Sequence, residues 1–483
     1  MRRNAGDRGR EAQNDESGHA DTAAPHRVWP RRRPQVGAAP IRAPDVRFRA
    51  SRIADVLGGE LVGPDTGVDG ASVDSRTLAT GQLFVPVAAA RDGHAFVAHA
   101  LAAGAPAYLT SATPAGGTAI RVGDTASALW SLGAHARDLL PDRVVGITGS
   151  VGKTTVKDLA AGALAADLRT HATRDSYNNE LGVPLTLLCA PGDVEVVVVE
   201  LGARFPGDIA RLRELVRPTV GVITSIGSAH LEHLGGLDGV RREKYSLLDG
   251  LPATGHAIVN EADCGPDVRG RTDATVVTFG TDHGDVRATV VDRDDELRPT
   301  VRIESPWGSG VVALAVRGDH QAANAAAALA AAVCVGVGFD AALAGVGRAE
   351  GSRLRGEFWR APSGLRVLDD SYNANPDSVA AALRALAGVD APRRVAVLGQ
   401  MAELGAASED AHRRAGELAT SLGIDVVAVG TPDYGGTVVA DQEEALALVA
   451  ALPVDSVVLI KASRSVGLDR LAELVRGMEV GAR

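Results

Sequence analysis

Lysine is almost missing from this chain of 483 residues: of its 50 lysine and arginine residues, only Lys153, Lys157, Lys244 and Lys461 are lysine. Arginine serves wherever any cation will do. Each remaining lysine therefore hints at a place where a compact amine matters, because a guanidinium neither replaces a point-charge ammonium nor supplies a nucleophilic nitrogen. Lys157 reads equally well as an ordinary helix residue. Aromatic residues are scarce, at 3%, so the cores must be built from Ala, Val and Leu. The three cysteines, Cys189, Cys264 and Cys334, are scattered and odd in number. That excludes a disulfide framework and a CxxC metal site, and it fits a reduced, cytoplasmic setting. No apolar run approaches the ~18–20 residues of a membrane span. The net charge of −10 offers no global basic footprint for nucleic acid, so an anionic ligand must be held by local donors.

What is present suits several domains. The hydrophobic fraction is 45%, and a chain of this length divides into two to four units. Residues 1–45 are polar, rich in Arg, Pro, Gly and Asp, and are expected to form a disordered tail. Neither Arg2-Arg3 nor Arg31-Arg32-Arg33 is followed by the apolar stretch of about 7–15 residues that an export signal carries. Folding is expected to begin near Val46; the stretch 51–140 mixes short strands such as Leu83-Phe84-Val85 with Ala-rich helices such as 95–103, and Pro141-Asp142 marks a boundary. From Val144 the pattern is strand, loop, helix, repeated. The runs at 194–199, apolar but for Glu195, and at 220–223 are short, as suits parallel strands buried on both faces. Near Arg353 the pattern restarts, with apolar runs at 365–368, 395–398, 426–429 and 457–460 alternating with helices. The expectation is an α/β chain of three domains, near 46–140, 141–350 and 351–483.

The first candidate site is the segment Thr148-Gly149-Ser150-Val151-Gly152-Lys153-Thr154-Thr155, which follows the β-rich run 144–147. A strand entering a Gly-containing loop and a helix leaving it aims backbone N–H groups at an anion. Lys153 would reach the β- and γ-phosphates, and Thr154 would offer its hydroxyl to Mg²⁺. Ile147 stands where the strict Walker pattern has Gly, so the match is to the shorter Gly-x-x-Gly-Lys-Thr. Glu200 ends the apolar run 196–199, at the carboxyl end of a strand where ligands gather. It reads as a metal ligand or as a capping carboxylate. His230 follows the loop 224–229 and reads as a second metal ligand or as a structural histidine. His233 lies three residues on, but no third ligand at a zinc spacing accompanies the pair. Lys244, among Arg241, Arg242 and Glu243, reads as a functional amine or as part of a solvated charged face.

Several segments together resemble the Mur ligase family, in the family's order and from about residue 50 to residue 475. The phosphate loop is one. Tyr177-Asn178-Asn179-Glu180-Leu181-Gly182 resembles the family's substrate-side motif, and His320-Gln321-Ala322-Ala323-Asn324 its His-Asn-x-x-Asn segment. Asp74-Ser75-Arg76, with Gly81-Gln82-Leu83-Phe84 and Asp92-Gly93-His94, is similar to its UDP-binding domain. Asp369-Asp370-Ser371-Tyr372-Asn373-Ala374-Asn375-Pro376 is similar to the signature of the branch that adds D-alanyl-D-alanine.

The resemblance implies a small UDP-binding α/β domain, a central P-loop ATPase-like parallel sheet and a C-terminal Rossmann-like domain. It implies ATP and Mg²⁺, with UDP-MurNAc-tripeptide and D-Ala-D-Ala as substrates joined through an acyl phosphate, in a cytoplasmic monomer. Residue by residue, it assigns Gly149 to Thr155 to the ATP phosphates, and Thr154, Glu200 and His230 to the metal. Lys244 stands where the family carries a carbamylated lysine, a modification that needs a primary amine. Asn324 is assigned to the adenine, and Arg353 and Asp370 to the nucleotide from the third domain. Asn178, Asn179, Tyr372, Asn373 and Asn375 are assigned to the substrate side, and Asp74, Ser75 and Arg76 to the UDP end.

Four segments depart from the family pattern. Leu398-Gly399-Gln400-Met401 has an amide where the family has a carboxylate, before the expected Glu403-Leu404-Gly405. Lys461-Ala462-Ser463-Arg464 replaces Lys-Gly-Ser-Arg, Glu243-Lys244-Tyr245-Ser246 replaces Ala-Lys-Gly-Glu, and His320-Gln321 replaces His-Asn. The changes at Gln400 and Ala462 bear on the amine acceptor. They leave open a paralogous ligase of the same mechanism that joins a different carboxylate and amine.

Overall fold

The computed structural model describes residues 48–88, 91–264 and 266–478. The expected tail at 1–45 lies outside the described residues. The fold is mixed α/β, as the sequence pattern leads one to expect.

Near the N-terminus, helix Ala50–Leu57 stops at Gly58, whose left-handed backbone lets its N–H return to the Ala54 and Asp55 carbonyls. A five-stranded sheet follows in the order Glu60–Val62, Ala119–Arg121, Tyr108–Thr110, Leu83–Phe84, Ala71–Ser72. The helix expected at 95–103 begins as a 3-10 turn, Gly93–Phe96, and continues as Val97–Ala102. The turn begins there because the Asp92 side chain accepts the His94 N–H.

A nine-stranded sheet dominates the molecule. Its parallel centre is Val144–Thr148, flanked by Val196–Glu200 and Val220–Ile223. Every residue of these three strands is buried. That explains why they read as unbroken apolar runs: both faces are covered, so no position is left for a polar alternation. One covering helix, Gln321–Val335, holds an alanine run from Ala325 to Ala332 broken only by Leu329. Such small side chains let it lie close against helix Lys153–Leu164 and the sheet.

The far edge of this sheet was not foreseen. Val286–Arg293 joins it in parallel, and Pro299–Ser305 and Gly308–Ala313 then add to it as antiparallel strands. They are half exposed and alternate in burial, so they lack the apolar runs by which the inner strands were recognised.

A six-stranded sheet forms the C-terminal part, in the order Glu357–Arg360, Arg366–Asp369, Val457–Lys461, Arg394–Gly399, Asp425–Val429, Thr437–Val439. All its pairings are parallel except the first. Three of the four runs noted in the sequence fall within these strands, and the fourth, 365–368, begins one residue before Arg366–Asp369. No helix among the described residues is long and apolar enough to cross a membrane.

Candidate functional site

A cleft of about 860 Å³ opens between the carboxyl ends of the large sheet and the loops of the C-terminal sheet. The phosphate loop lies on one side and the 369–376 segment on the other.

The loop geometry follows from two glycines. Gly149 has φ +150°, and a Cβ there would overlap the Thr224 hydroxyl. Gly152 has φ +85°, and a Cβ would sit 2.6 Å from Asn324 Oδ1. Both positions combine a backbone that disfavours side chains with no room for one. The loop is braced from the segment that follows strand Val220–Ile223: Ser225 Oγ accepts the Val151 N–H at 2.9 Å, and Ser150 Oγ donates to the Gly227 carbonyl at 3.1 Å. Helix Lys153–Leu164 starts at Gly152 with no side chain capping it. Its first N–H groups are thus left for an anion in the cleft.

Lys153 Nζ donates to the carbonyl of Gly149 at 2.7 Å. Burial holds its pKa below the usual lysine value, against the pull of Glu200. Thr154 Oγ1 lies 3.3 Å from Ser176 Oγ.

Glu200 is 1% exposed. Its Oε1 accepts from Asn178 Nδ2 at 2.8 Å, while its Oε2 is buried with no hydrogen-bond partner. A buried carboxylate oxygen left bare is costly, and a cation would remove that cost. The cleft offers oxygens from Thr154 and Glu200 and the imidazole of His230. No group of three or more His, Cys, Asp or Glu able to hold a metal is found among the described residues. That sparse set fits Mg²⁺, which binds through one or two carboxylates and takes its other oxygens from phosphates and water.

His230 adopts φ +58°. Burial, and then the charge of Lys153, push its pKa down to about 4, so the imidazole is neutral at pH 7. Its Nδ1 is in hydrogen-bond contact with Glu403 Oε2 from the C-terminal part. His233 instead packs its ring 5.1 Å from that of Phe205.

Lys244 is not on a solvated face: it is 1% exposed, although it lies on helix Leu237–Tyr245 among charged neighbours. Burial, with Lys153 next, brings its pKa down to about 7. Lys157 and Lys461 are also buried, at 3% and 2%. Lys157 donates to the Thr173 and Asp175 carbonyls. Lys461 donates to Asp370 Oδ2 at 2.5 Å and to the Asn373 carbonyl at 2.8 Å.

Other expected residues divide between cleft and scaffold. Asp370 lines the cleft but is paired with Lys461. Tyr372 lies under the Arg355 guanidinium at 4.1 Å, and Asn373 is exposed on the cleft. Asn375 caps helix Pro376–Ala387 through a reciprocal box with Ser378. Asn179 Oδ1 accepts the N–H groups of Leu181 and Gly182 and so starts helix Gly182–Leu188. Asn324 lines the cleft beside Gly152 and donates to Gln321 Oε1 at 2.7 Å, so the His320-Gln321 departure orients Asn324.

Arg353 requires a correction. Its side chain is 77% exposed, outside the cleft, and lies 3.9 Å from Glu357. The left-handed turn at Leu354, φ +61°, directs Arg355 inward instead. Arg355 donates to Ser176 Oγ at 2.9 Å, beside Thr154. Asp74, Ser75 and Arg76 lie away from this cleft, on the turn after strand Ala71–Ser72. There Arg76 is exposed and forks onto Asp74 at 2.6 and 2.9 Å.

The remaining departures are accommodated in the scaffold. Ala462 is fully buried against Gly399, and Gln400 is exposed outside the cleft. The neighbours Lys461 and Arg464 still line it.

Residues 147–332 match the model of the Mur ligase middle domain, and residues 354–464 that of the Mur ligase, glutamate ligase domain. The chain is 36% identical, over 89% of its length and 98% of the relative's, to the UDP-N-acetylmuramoyl-tripeptide--D-alanyl-D-alanine ligase of Escherichia coli K12. The chain belongs to the Mur ligase family. The Bacillus subtilis protein of the same name is 33% identical over 79% of this chain and 85% of its own. Among solved Mur ligases, MurF from Acinetobacter baumannii superposes with a TM-score of 0.79 at 30% identity, covering 89% of this chain and 99% of that one. MurF from Thermotoga maritima in complex with ADP gives 0.72 at 28%, covering 85% and 97%. A folylpolyglutamate synthase of Mycobacterium tuberculosis shares the fold at 20% identity, with a TM-score of 0.58.

Proposed function

We infer that this Mur ligase joins D-alanyl-D-alanine to UDP-N-acetylmuramoyl-tripeptide and converts ATP to ADP and phosphate, a step of peptidoglycan precursor synthesis. The observation that carries this reading is the cleft itself, which sets an uncapped phosphate loop opposite the 369–376 segment, in a chain similar over 89% of its length to ligases of that name.

A carboxylate is a poor electrophile at neutral pH and must first gain a leaving group. A carboxylate oxygen of the tripeptide attacks the γ-phosphorus of ATP, the bond to the ADP oxygen breaks, and an acyl phosphate forms. The free amine of the dipeptide adds to the acyl carbon. The tetrahedral adduct then releases phosphate and a proton and leaves the new amide. The protein contributes positioning and charge neutralisation.

In this reading the amides of Gly149 to Thr155 and the ammonium of Lys153 hold the phosphates, Lys153 exchanging the Gly149 carbonyl for a phosphate oxygen. Thr154, the bare Oε2 of Glu200 and His230 would hold Mg²⁺, which when bound neutralises phosphate charge. Lys244, with a pKa of about 7, has the neutral amine that reaction with CO₂ requires. Its carbamate would add an anionic oxygen donor. Asn178 steadies Glu200. Asn324 serves the adenine, and Arg355 serves the nucleotide from the C-terminal side. Tyr372 and Asn373 face the reacting substrates, and Asp74, Ser75 and Arg76 take the UDP end. The division into domains at 46–140, 141–350 and 351–483, a cytoplasmic location and a monomeric state belong to the same reading.

The test is phosphate release by the purified protein with UDP-MurNAc-tripeptide and a panel of amines. Release with D-Ala-D-Ala is expected. Release only with another amine would favour a paralogous ligase.

A further inference from the structure

Seven non-glycine residues among those described have positive φ, and two of them, His230 at +58° and Glu403 at +62°, touch each other across the two largest sheets' loops. Each such residue costs of order 1 kcal/mol or more, and such residues cluster where a site demands a particular geometry. Here the strain on each side aims a side chain at the other. Glu403 Oε2 meets His230 Nδ1, and Oε1 of the same carboxylate lies 3.2 Å from Arg204 Nε. The Glu403 carbonyl also accepts the Glu232 N–H at 3.4 Å. At the other end of the His230 loop, Asp377 Oδ2 accepts the Ser228 N–H at 2.9 Å. The 224–232 segment, which also braces the phosphate loop, is thus gripped twice by carboxylates of the C-terminal part.

We propose that Glu403 is a positioning residue that fixes the Nδ1–H tautomer and ring orientation of His230, leaving the Nε2 lone pair for the cation at the phosphate loop, so that this ligand is competent only when the C-terminal part is docked. A carboxylate on the far nitrogen of a ligating histidine both selects the tautomer and raises the basicity of the near one. Glu403 accepts the proton of Nδ1–H while Arg204 holds its second oxygen, so the carboxylate cannot turn away. The substrate-side mouth, where Arg204 lines the cleft, is thereby tied to the same group. The proposal rests on the reading of His230 as a metal ligand.

The experiment uses the full chain with ¹⁵N-labelled histidine, His230 being assigned by its loss in His230→Ala. In the nucleotide-free protein, the ¹⁵N shifts of His230 should report the Nδ1–H form. Glu403→Ala should shift them toward the Nε2–H form that free imidazole prefers, while Glu403→Gln, whose amide oxygen still accepts, should keep most of the Nδ1–H form. In turnover assays Glu403→Ala should raise the Mg²⁺ concentration for half-maximal rate about tenfold or more, with Glu403→Gln falling between. An Nε2–H form in the wild-type protein would overturn the proposal, and that observation needs neither Glu403 variant to fold. An unchanged Mg²⁺ requirement in both folded variants would also overturn it. If His230→Ala itself left the Mg²⁺ requirement unchanged while the tautomer was as expected, the metal-ligand reading would fall, and the hydrogen-bond geometry would stand.

Discussion

The two walls of the cleft use their signature residues differently. On the phosphate-loop side, the residues singled out by type face the ligand space: Lys153, Thr154 and the bare oxygen of Glu200 are held by few partners. On the 369–376 side, most signature residues hold one another. Asp369 is buried and accepts from Ser371, Asp370 is paired with Lys461, and Asn375 caps the helix that follows. Only the side chains of Tyr372, stacked under Arg355, and Asn373 are left facing the cleft. One motif therefore leaves its side chains open to the cleft, whereas the other marks mainly the loop shape that presents two side chains.

That contrast can be broken by substitutions, taken from the largest expected effect to the smallest. Lys153→Met should lower kcat by ~10²–10³, as for loss of a preorganised donor to developing charge, with Tm unchanged or raised, since a half-desolvated ammonium is removed. A fall in Tm would place Lys153 with the scaffold residues. Lys244 should give a pH effect. Its pKa falls from 10.5 in the unfolded chain to about 7 in the folded protein, so the neutral amine dominates above that value and the ammonium below it. At a fixed, limiting CO₂ concentration, the rate of carbamylation should fall below pH 7, approaching tenfold per pH unit, measured as recovery of turnover on CO₂ addition. A flat profile from pH 6 to 8 would count against an amine role.

Lys461→Met should behave in the opposite way to Lys153→Met. It leaves Asp370 without its cation and should cost about 3 kcal/mol, the low end for breaking a buried pair, because Asp370 keeps some contact with water. Thermal unfolding should register the loss directly. Asn375→Ala should cost ~1 kcal/mol through the lost cap, with KM for either substrate changed less than twofold. A large rise in KM with no loss of stability would show that Asn375 contacts substrate after all.

The sequence made the buried elements legible and the pairings obscure. The runs at 220–223 and 457–460 stood out because both faces of those strands are covered. The antiparallel edge at 286–313 did not, because half its residues meet water. The phosphate loop was legible because strand, glycines and helix are contiguous. Arg355 was not legible because it shares with Arg353 a loop with no periodicity, and a single left-handed residue, Leu354, decides which one turns inward. Glu403 stood in an expected segment, but its partner His230 is 173 residues away, and no local spacing reveals such a contact. Of the four lysines, Lys157, Lys244 and Lys461 are almost fully buried, and Lys157 and Lys461 are bound to carbonyl and carboxylate oxygens of the scaffold.

The most direct test of the account follows oxygen rather than rate. UDP-MurNAc-tripeptide labelled with ¹⁸O in its terminal carboxylate should be turned over with ATP and D-Ala-D-Ala, and the released phosphate examined by mass spectrometry. One ¹⁸O per phosphate is expected, because the carboxylate oxygen that attacks the γ-phosphorus leaves with it when the amine displaces the phosphate. Unlabelled phosphate alongside formation of the amide would contradict the account.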